Sequence, residues 1–196
     1  MLLFIPDNDT PYTPAEQVQM ALEGGCQWVS LATDQMDDGA IREAAAEIVP
    51  LCREAGAILT LENHPELARE LGIHGVLVNG DLSVATIRQS FGGDGIIGAV
   101  CRSAASVPAL EGMDADYAVL PADLGTEEMA RLVSDVRAAG CQLHIVAMGD
   151  FDSANCAAVI NSGVSGVATG RLLMNAPDPV AAVEALIARL NELRGV

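Results

Sequence analysis

Apolar residues in this chain come in short, nearly unbroken runs, each led by a glycine and closed by polar residues. The phrase reads Gly24-Gly-Cys-Gln-Trp-Val-Ser-Leu-Ala, Gly56-Ala-Ile-Leu-Thr-Leu-Glu, Gly72-Ile-His-Gly-Val-Leu-Val-Asn and Gly93-Asp-Gly-Ile-Ile-Gly-Ala-Val. It returns as Gly112-Met-Asp-Ala-Asp-Tyr-Ala-Val-Leu, Gly140-Cys-Gln-Leu-His-Ile-Val-Ala and Gly163-Val-Ser-Gly-Val-Ala. Runs of this kind read as parallel strands buried on both faces. Each leading glycine is placed to end the preceding helix in the left-handed region. With Leu2–Pro6 as the opening strand, the count is eight.

Helical spacing fills the gaps. It predicts helices over Pro14–Leu22, Ile41–Glu54 with a kink at Pro50, Pro65–Leu71, Val84–Phe91, Ala104–Leu110 with an interruption at Pro108, Thr126–Ala139, Ser153–Asn161 and Pro179–Leu193. Eight strands alternating with eight helices in 196 residues predict a compact (β/α)8 TIM barrel, one domain over 1–196. A doubly wound sheet of the flavodoxin type would use five such units and leave the other strands unplaced.

The last two units end in Met148-Gly149-Asp150 and Thr169-Gly170-Arg171. In such barrels the chemistry lies at the strand C-terminal ends, and the last two loops often cradle a phosphate. Gly149, Asp150, Thr169, Gly170 and Arg171 are therefore the candidate phosphate-binding residues, with ordinary turn glycines as the competing reading. Asp150 has two roles open to it. It can cap the amides of the cradle itself, which is the reading we take, or turn away and pair elsewhere, with Arg171 as an available partner.

Composition narrows the function. Hydrophobic residues make up 51% and aromatics 3%, which suits tightly packed layers of small side chains. The net charge is −17, and all ten basic residues are arginine. The acidic balance argues against non-specific nucleic-acid binding and against anionic membranes. Without lysine there is no Schiff-base chemistry and no lysine-assisted phosphate site. Cys26, Cys52, Cys101, Cys141 and Cys156 show no CxxC spacing and read as buried thiols in a reducing compartment. Cys101 is one of them, although Arg102 beside it could activate a thiol. No signal-peptide pattern or membrane-length apolar run is present, so a cytoplasmic location is expected.

In this order the units resemble the thiamine phosphate synthase and thiazole tautomerase-like family over nearly the whole length. The likeness is carried by Leu51-Cys-Arg-Glu-Ala-Gly, Glu66-Leu-Ala-Arg-Glu-Leu-Gly-Ile-His-Gly-Val, Asp81-Leu-Ser-Val-Ala, Ile96-Ile-Gly, Asp116-Tyr-Ala-Val-Leu, Gly166-Val-Ala and Ala176-Pro-Asp-Pro-Val-Ala-Ala. The resemblance implies an enzyme that joins a pyrimidine pyrophosphate to a thiazole phosphate, with Mg²⁺ on the diphosphate. At the chemical positions the chain departs from it. The family's Gln-x-Arg-x-Lys diphosphate clamp reads Ser30-Leu-Ala32-Thr-Asp34. Its Asn-Asp-Arg reads Glu62-Asn63-His64, and its Gly-Gln-x-Asp is shortened to Asn79-Gly80-Asp81. The Ser and His after the fifth strand are Val100 and Arg102, the sixth loop is Pro121-Ala-Asp123-Leu-Gly125, and Gly-Gly-Ile is Gly149-Asp150-Phe151.

Losing two cations from a diphosphate clamp removes several kcal/mol of charge-assisted hydrogen bonding. Asp34 in their place repels the same ligand. Weak or lost synthase activity is the expectation, with Ser30, Ala32, Asp34, Asn63, His64 and Arg102 lining the substrate pocket. Asp81 and Glu62 are the candidate Mg²⁺ ligands, set against acids that only solvate loops. Two other functions stay open: a catalytically silent member that binds a ligand, a partner protein or a second copy, and a metal-dependent lyase or isomerase acting on a small phosphorylated molecule. His74 and His144 read as core or rim residues, and Trp28 and the methionines as packing.

Overall fold

The computed structural model describes residues 1–34, 36–103 and 106–195. Eight parallel strands close into a barrel in chain order: β1 (Leu2–Phe4), β2 (Trp28–Leu31), β3 (Ile58–Glu62), β4 (Gly75–Val78), β5 (Ile96–Val100), β6 (Tyr117–Pro121), β7 (His144–Met148) and β8 (Gly166–Thr169). The circle is completed by β8 against β1, with Leu2 opposite Val167 and Phe4 opposite Thr169. The connections carry α1 (Pro14–Glu23), α2 (Asp38–Ala55), α3 (Pro65–Glu70), α4 (Val84–Phe91), α5 (Val107–Gly112) and α6 (Thr126–Ala138). They end with α7 (Cys156–Asn161), α8 (Arg171–Met174) and α9 (Pro179–Arg194). The expected (β/α)8 barrel is what forms. No helix among the described residues is long and apolar enough to cross a membrane.

Helix starts follow their caps. Thr13 and Glu16 form a reciprocal capping box on α1, Asp37 accepts from Ala40 N on α2, and Asp178 accepts from Ala181 N on α9. Asp37 moves the start of α2 to Asp38, ahead of the expected Ile41, and α2 continues through Pro50. Helix α7 begins later than predicted because the Asp152 carboxylate accepts from Ala154 N and Asn155 N, which holds that stretch in a turn. Pro108 does not interrupt α5. It sits in the first turn, where its missing N–H has no intrahelical partner to lose. The first two residues predicted for that helix, 104 and 105, lie outside the described residues.

Left-handed backbone falls on Gly25 and Gly92 rather than Gly24 and Gly93, and after α5 on Asp114 rather than Gly112. Gly24 serves packing instead. A Cβ there would stand 2.7 Å from Val183 Cβ, so its absence lets α9 lie against the end of α1.

The strands alternate between two cores. Phe4, Val29, Leu31, Leu59, Leu61, Val76, Ile97, Ala118, Leu120, Ile145 and Val167 face outward and bury against the helices. Leu3, Trp28, Leu77, Tyr117, Val119, Val146 and Ala168 fill the barrel itself. Trp28 and Tyr117 meet edge to face, their centroids 4.6 Å apart. The Tyr117 ring lies over Gly98, where a Cβ would overlap it. This plug is imperfectly satisfied: among the described residues, Trp28 Nε1, Ser30 Oγ and the Tyr117 hydroxyl are buried without a partner. Burial also pushes the Tyr117 hydroxyl well above its ordinary pKa.

Gly98→Ala is expected to lower the urea midpoint by the equivalent of about 1–3 kcal/mol, the usual cost of overpacking a filled core. Gly93→Ala, at a site where nothing lies within 4 Å, is the control and should leave the midpoint nearly unchanged.

Candidate functional site

Parallel closure brings all eight strand C-termini to one end, where the loops after them form the mouth. The first of these loops is held by Gln17, which is buried in α1. Its Oε1 accepts from Asp7 N at 3.0 Å, and its Nε2 donates to Asp7 O at 2.8 Å and Tyr12 O at 3.0 Å. Sequence reading passed over Gln17. The available signal was a polar side chain beside Val18 and one turn before Ala21, on the buried face of a helix.

A cavity of about 270 Å³ lies between the ends of β1, β7 and β8, and it gathers Gly149, Asp150, Thr169, Gly170 and Arg171 with Ile5, Asp7 and Met148. All five candidate phosphate residues therefore converge. Their roles differ. Thr169 Oγ1 accepts from Phe151 N at 3.1 Å and donates to Phe151 O at 3.3 Å, so it ties the β7–α7 loop to β8. Gly149 N donates to Ala168 O at 3.0 Å. Gly170 lies where a Cβ would overlap the Ile5 carbonyl.

Asp150 does not cap the cradle. Its Oδ2 accepts from Arg171 Nη2 and its Oδ1 from Arg171 Nε at 3.4 Å, a two-toothed ion pair within the cavity. The capping expectation fails because a guanidinium on the facing loop offers the carboxylate a charged donor, stronger than neutral amides. Asp150 first, then Asp7 and Asp9, hold the Arg171 guanidinium above its already high pKa.

A second cavity of about 540 Å³ shares Ile5 and Asp7 with the first and extends between the β1 and β2 loops. Ala32 and Asp34 line it together with Asp9 and Met36. Ser30 does not reach it. It sits inside β2, 1% exposed, within the barrel.

The ends of β3 and β4 are closed by their own side chains. Buried Glu62 accepts from Thr33 N at 3.1 Å and from Asn79 Nδ2 at 2.8 Å, while Thr33 Oγ1 donates to Glu62 O at 3.0 Å. Asn63, at φ 55°, donates from Nδ2 to Asn79 O at 2.8 Å and accepts from Asn79 N at 2.7 Å. His64 turns towards α2, its Nδ1 4.0 Å from Asp38 Oδ1. Asp81 and Arg102 are exposed. Glu62 thus fits a divalent cation poorly, since both its oxygens already face N–H donors. No group of three or more His, Cys, Asp or Glu among the described residues could hold a metal.

The remaining candidates lie elsewhere. His144 opens β7 and His74 precedes β4, both at the opposite end of the barrel from the mouth. His74 Nδ1 accepts from Leu59 N at 3.1 Å, and His144 Nδ1 lies 3.3 Å from Ser165 Oγ. All five cysteines are free and buried. Burial pushes Cys52 and Cys101 up to about 11, so Arg102 does not activate Cys101.

Two measurements check this arrangement. Replacing Glu62 by Ala leaves Thr33 N–H and the Asn79 amide without their acceptor, and should cost about 1–3 kcal/mol of unfolding free energy in urea. The thiols should resist an aromatic disulfide reagent in the folded protein at pH 8 and react in denaturant. For Cys52 and Cys101, whose folded-state pKa is raised from 9.0 to about 11, the contribution to stability is complete below pH 9 and lost as pH rises towards 11.

A family model described as thiamine monophosphate synthase matches residues 2–173. The thiamine-phosphate synthase of Bacteroides fragilis is 31% identical over 192 residues, covering 91% of this chain and 94% of its own. That of Bacteroides thetaiotaomicron is 32% identical over 193 residues, covering 92% of each. Among solved structures, the thiamine phosphate pyrophosphorylase from Pyrococcus furiosus superposes with a TM-score of 0.86 at 25% identity, covering 98% of this chain and 96% of that one. Taken with the closed barrel and the position of its mouth, the match over most of the chain places this protein in the thiamine monophosphate synthase family.

Proposed function

We propose that this chain is a divergent cytoplasmic member of the family in which synthase activity is weak or lost, and whose mouth still offers a place for the phosphate of a small molecule. One observation carries the reading. Among the described residues, the only cation lining either mouth cavity is Arg171, and it is engaged by Asp150. Around it stand Asp7, Asp9 and Asp34. A diphosphate brought within about 4 Å of one uncompensated carboxylate meets a repulsion of roughly 4 kcal/mol per charge pair at an effective dielectric of 20. Binding a pyrimidine pyrophosphate and stabilising the negative charge of its diphosphate leaving group requires the opposite field.

The relatives are thiamine-phosphate synthases, so the reaction to be tested is the joining of a pyrimidine pyrophosphate and a thiazole phosphate. Mg²⁺ would enter with the diphosphate and meet Asp81 alone, because Glu62 is held by Thr33 and Asn79. The same hydrogen bonds leave a lyase or isomerase built on a protein-held metal without support. A silent ligand-binding member is the limiting case of the proposal, reached if the residual turnover is zero.

With both substrates and Mg²⁺ supplied, purified protein should turn over orders of magnitude below an ordinary kcat of ~10 s⁻¹. Thiamine phosphate formed at an ordinary rate would refute the proposal. The reverse test is Ala32→Arg with Asp34→Lys, which puts two cations at the larger cavity. Ser30 is left alone, because a longer side chain inside the filled barrel would overpack it.

A further inference from the structure

We propose that Asp150 is a specificity-determining residue of the mouth: it occupies the Arg171 guanidinium in place of a ligand's phosphate, so the cavity accepts a dianionic phosphate only by displacing its own carboxylate. This rests on reading the cavity as the phosphate end of the site.

The geometry is that of a ligand already in place. Arg171 turns Nε and Nη2 onto the two oxygens of Asp150, the pair of donors with which a guanidinium grips a phosphate. Both residues line the same cavity, and no other cation lines it among the described residues. Asp7 lines it as well, so the walls carry two carboxylates against one guanidinium. With Asp150 on the arginine, Asp7 is the charge left over. An incoming anion therefore meets a negative cavity whose one attractive group is taken.

The pair is also displaceable. Its side chains are 46% and 48% exposed, and an exposed pair of this kind is weak. The backbone beneath it is not free to move: Asn155 Nδ2 donates to Asp150 O at 3.0 Å, and Phe151 N is held by Thr169 Oγ1 at 3.1 Å. Releasing Arg171 therefore requires only a side-chain rotation of Asp150. Phosphate would then gain the guanidinium while the freed carboxylate, tethered a few ångströms away, works against it. Asn in the same place keeps the volume and removes the competing charge.

The test is calorimetric titration of inorganic phosphate at fixed pH and low salt into wild type, Asp150→Asn and the double variant Asp150→Asn with Arg171→Gln. Half-exposed positions make loss of the fold a minor risk, and melting curves of the three proteins check it. Asp150→Asn should bind phosphate about tenfold more tightly than wild type, the scale expected when one nearby like charge is removed in a partly screened site. The double variant should lose that gain. Tight binding by wild type, unchanged in Asp150→Asn, would overturn the role given to Asp150 while leaving the cavity as a phosphate site. A gain that survives Arg171→Gln would also overturn it, because the phosphate would then not be using the guanidinium. Binding by none of the three would overturn both this inference and the phosphate reading of the cavity, and the synthase assay would still decide activity separately.

Discussion

Closure of the sheet between β1 and β8 governs everything else in this molecule. The first strand has three residues, yet it must pair on both sides, with Phe4 opposite Val29 in one direction and Thr169 in the other. The contact is possible because β8 begins in a residue without a Cβ and is followed directly by another. A side chain at Gly166 would overlap the Met1 carbonyl, and one at Gly170 would overlap that of Ile5. The same closeness sets the mouth. It carries the Gly149 and Gly170 turns to the Asp7 loop, so that Asp7, Asp150 and Arg171 share one cavity although they are far apart in sequence. A sheet open between β1 and β8 would leave Asp7 at one edge and the Asp150–Arg171 pair at the other.

Arginine accounts for all of the chain's positive charge, and the structure assigns much of it to the scaffold. Arg88 is the clearest case: its guanidinium donates to the Asp114 carbonyl at 2.9 and 2.7 Å and pairs with Asp116 at 2.6 Å, joining the end of α4 to the entrance of β6. Asp116 in turn accepts from Ile97 N at 2.7 Å, so the cluster also registers β5. Arg137 donates to the Cys141 and Leu143 carbonyls and closes the α6–β7 loop. Arg42 pairs with Glu70 between α2 and α3. A planar fork with several donors suits such stapling. At the mouth, Arg171 is the only cation lining either cavity among the described residues.

The strands were readable from sequence because burial on both faces leaves an unbroken apolar run, and that signal does not depend on what the loops do. Which face of each run turns into the barrel was not readable, since both faces are apolar. Trp28 therefore read only as packing, and its contact with Tyr117 emerged only in the structure. A helix start went wrong where a local side chain competes with the helix, as Asp152 does before α7, and an interruption was expected where a proline is harmless by position, as Pro108 is. The site was half visible. Its members were marked by the glycine turns and by their place after a strand, and all five meet in one cavity. Their roles depend on side-chain direction across loops 21 residues apart, as for Asp150 and Arg171, and no local pattern encodes that. The Glu62–Thr33–Asn79 network escaped for the same reason, and Glu62 was read as a ligand because a carboxylate at a mouth looks alike whether it is free or engaged.

The fold and the chemistry of this chain thus respond to different pressures. Closure, the two cores and the helix caps depend on apolar area and backbone geometry, which tolerate a net charge of −17 so long as the acids stay at the surface. Diphosphate chemistry depends instead on the sign of the field at one small opening. There the chain places Asp34 in the larger cavity and Asp150 on the arginine of the smaller. Neither carboxylate disturbs packing, because both side chains are exposed. The charge at such a mouth can therefore vary independently of the packing that closes the barrel, and likeness of fold is a guide to ancestry before it is a guide to catalysis.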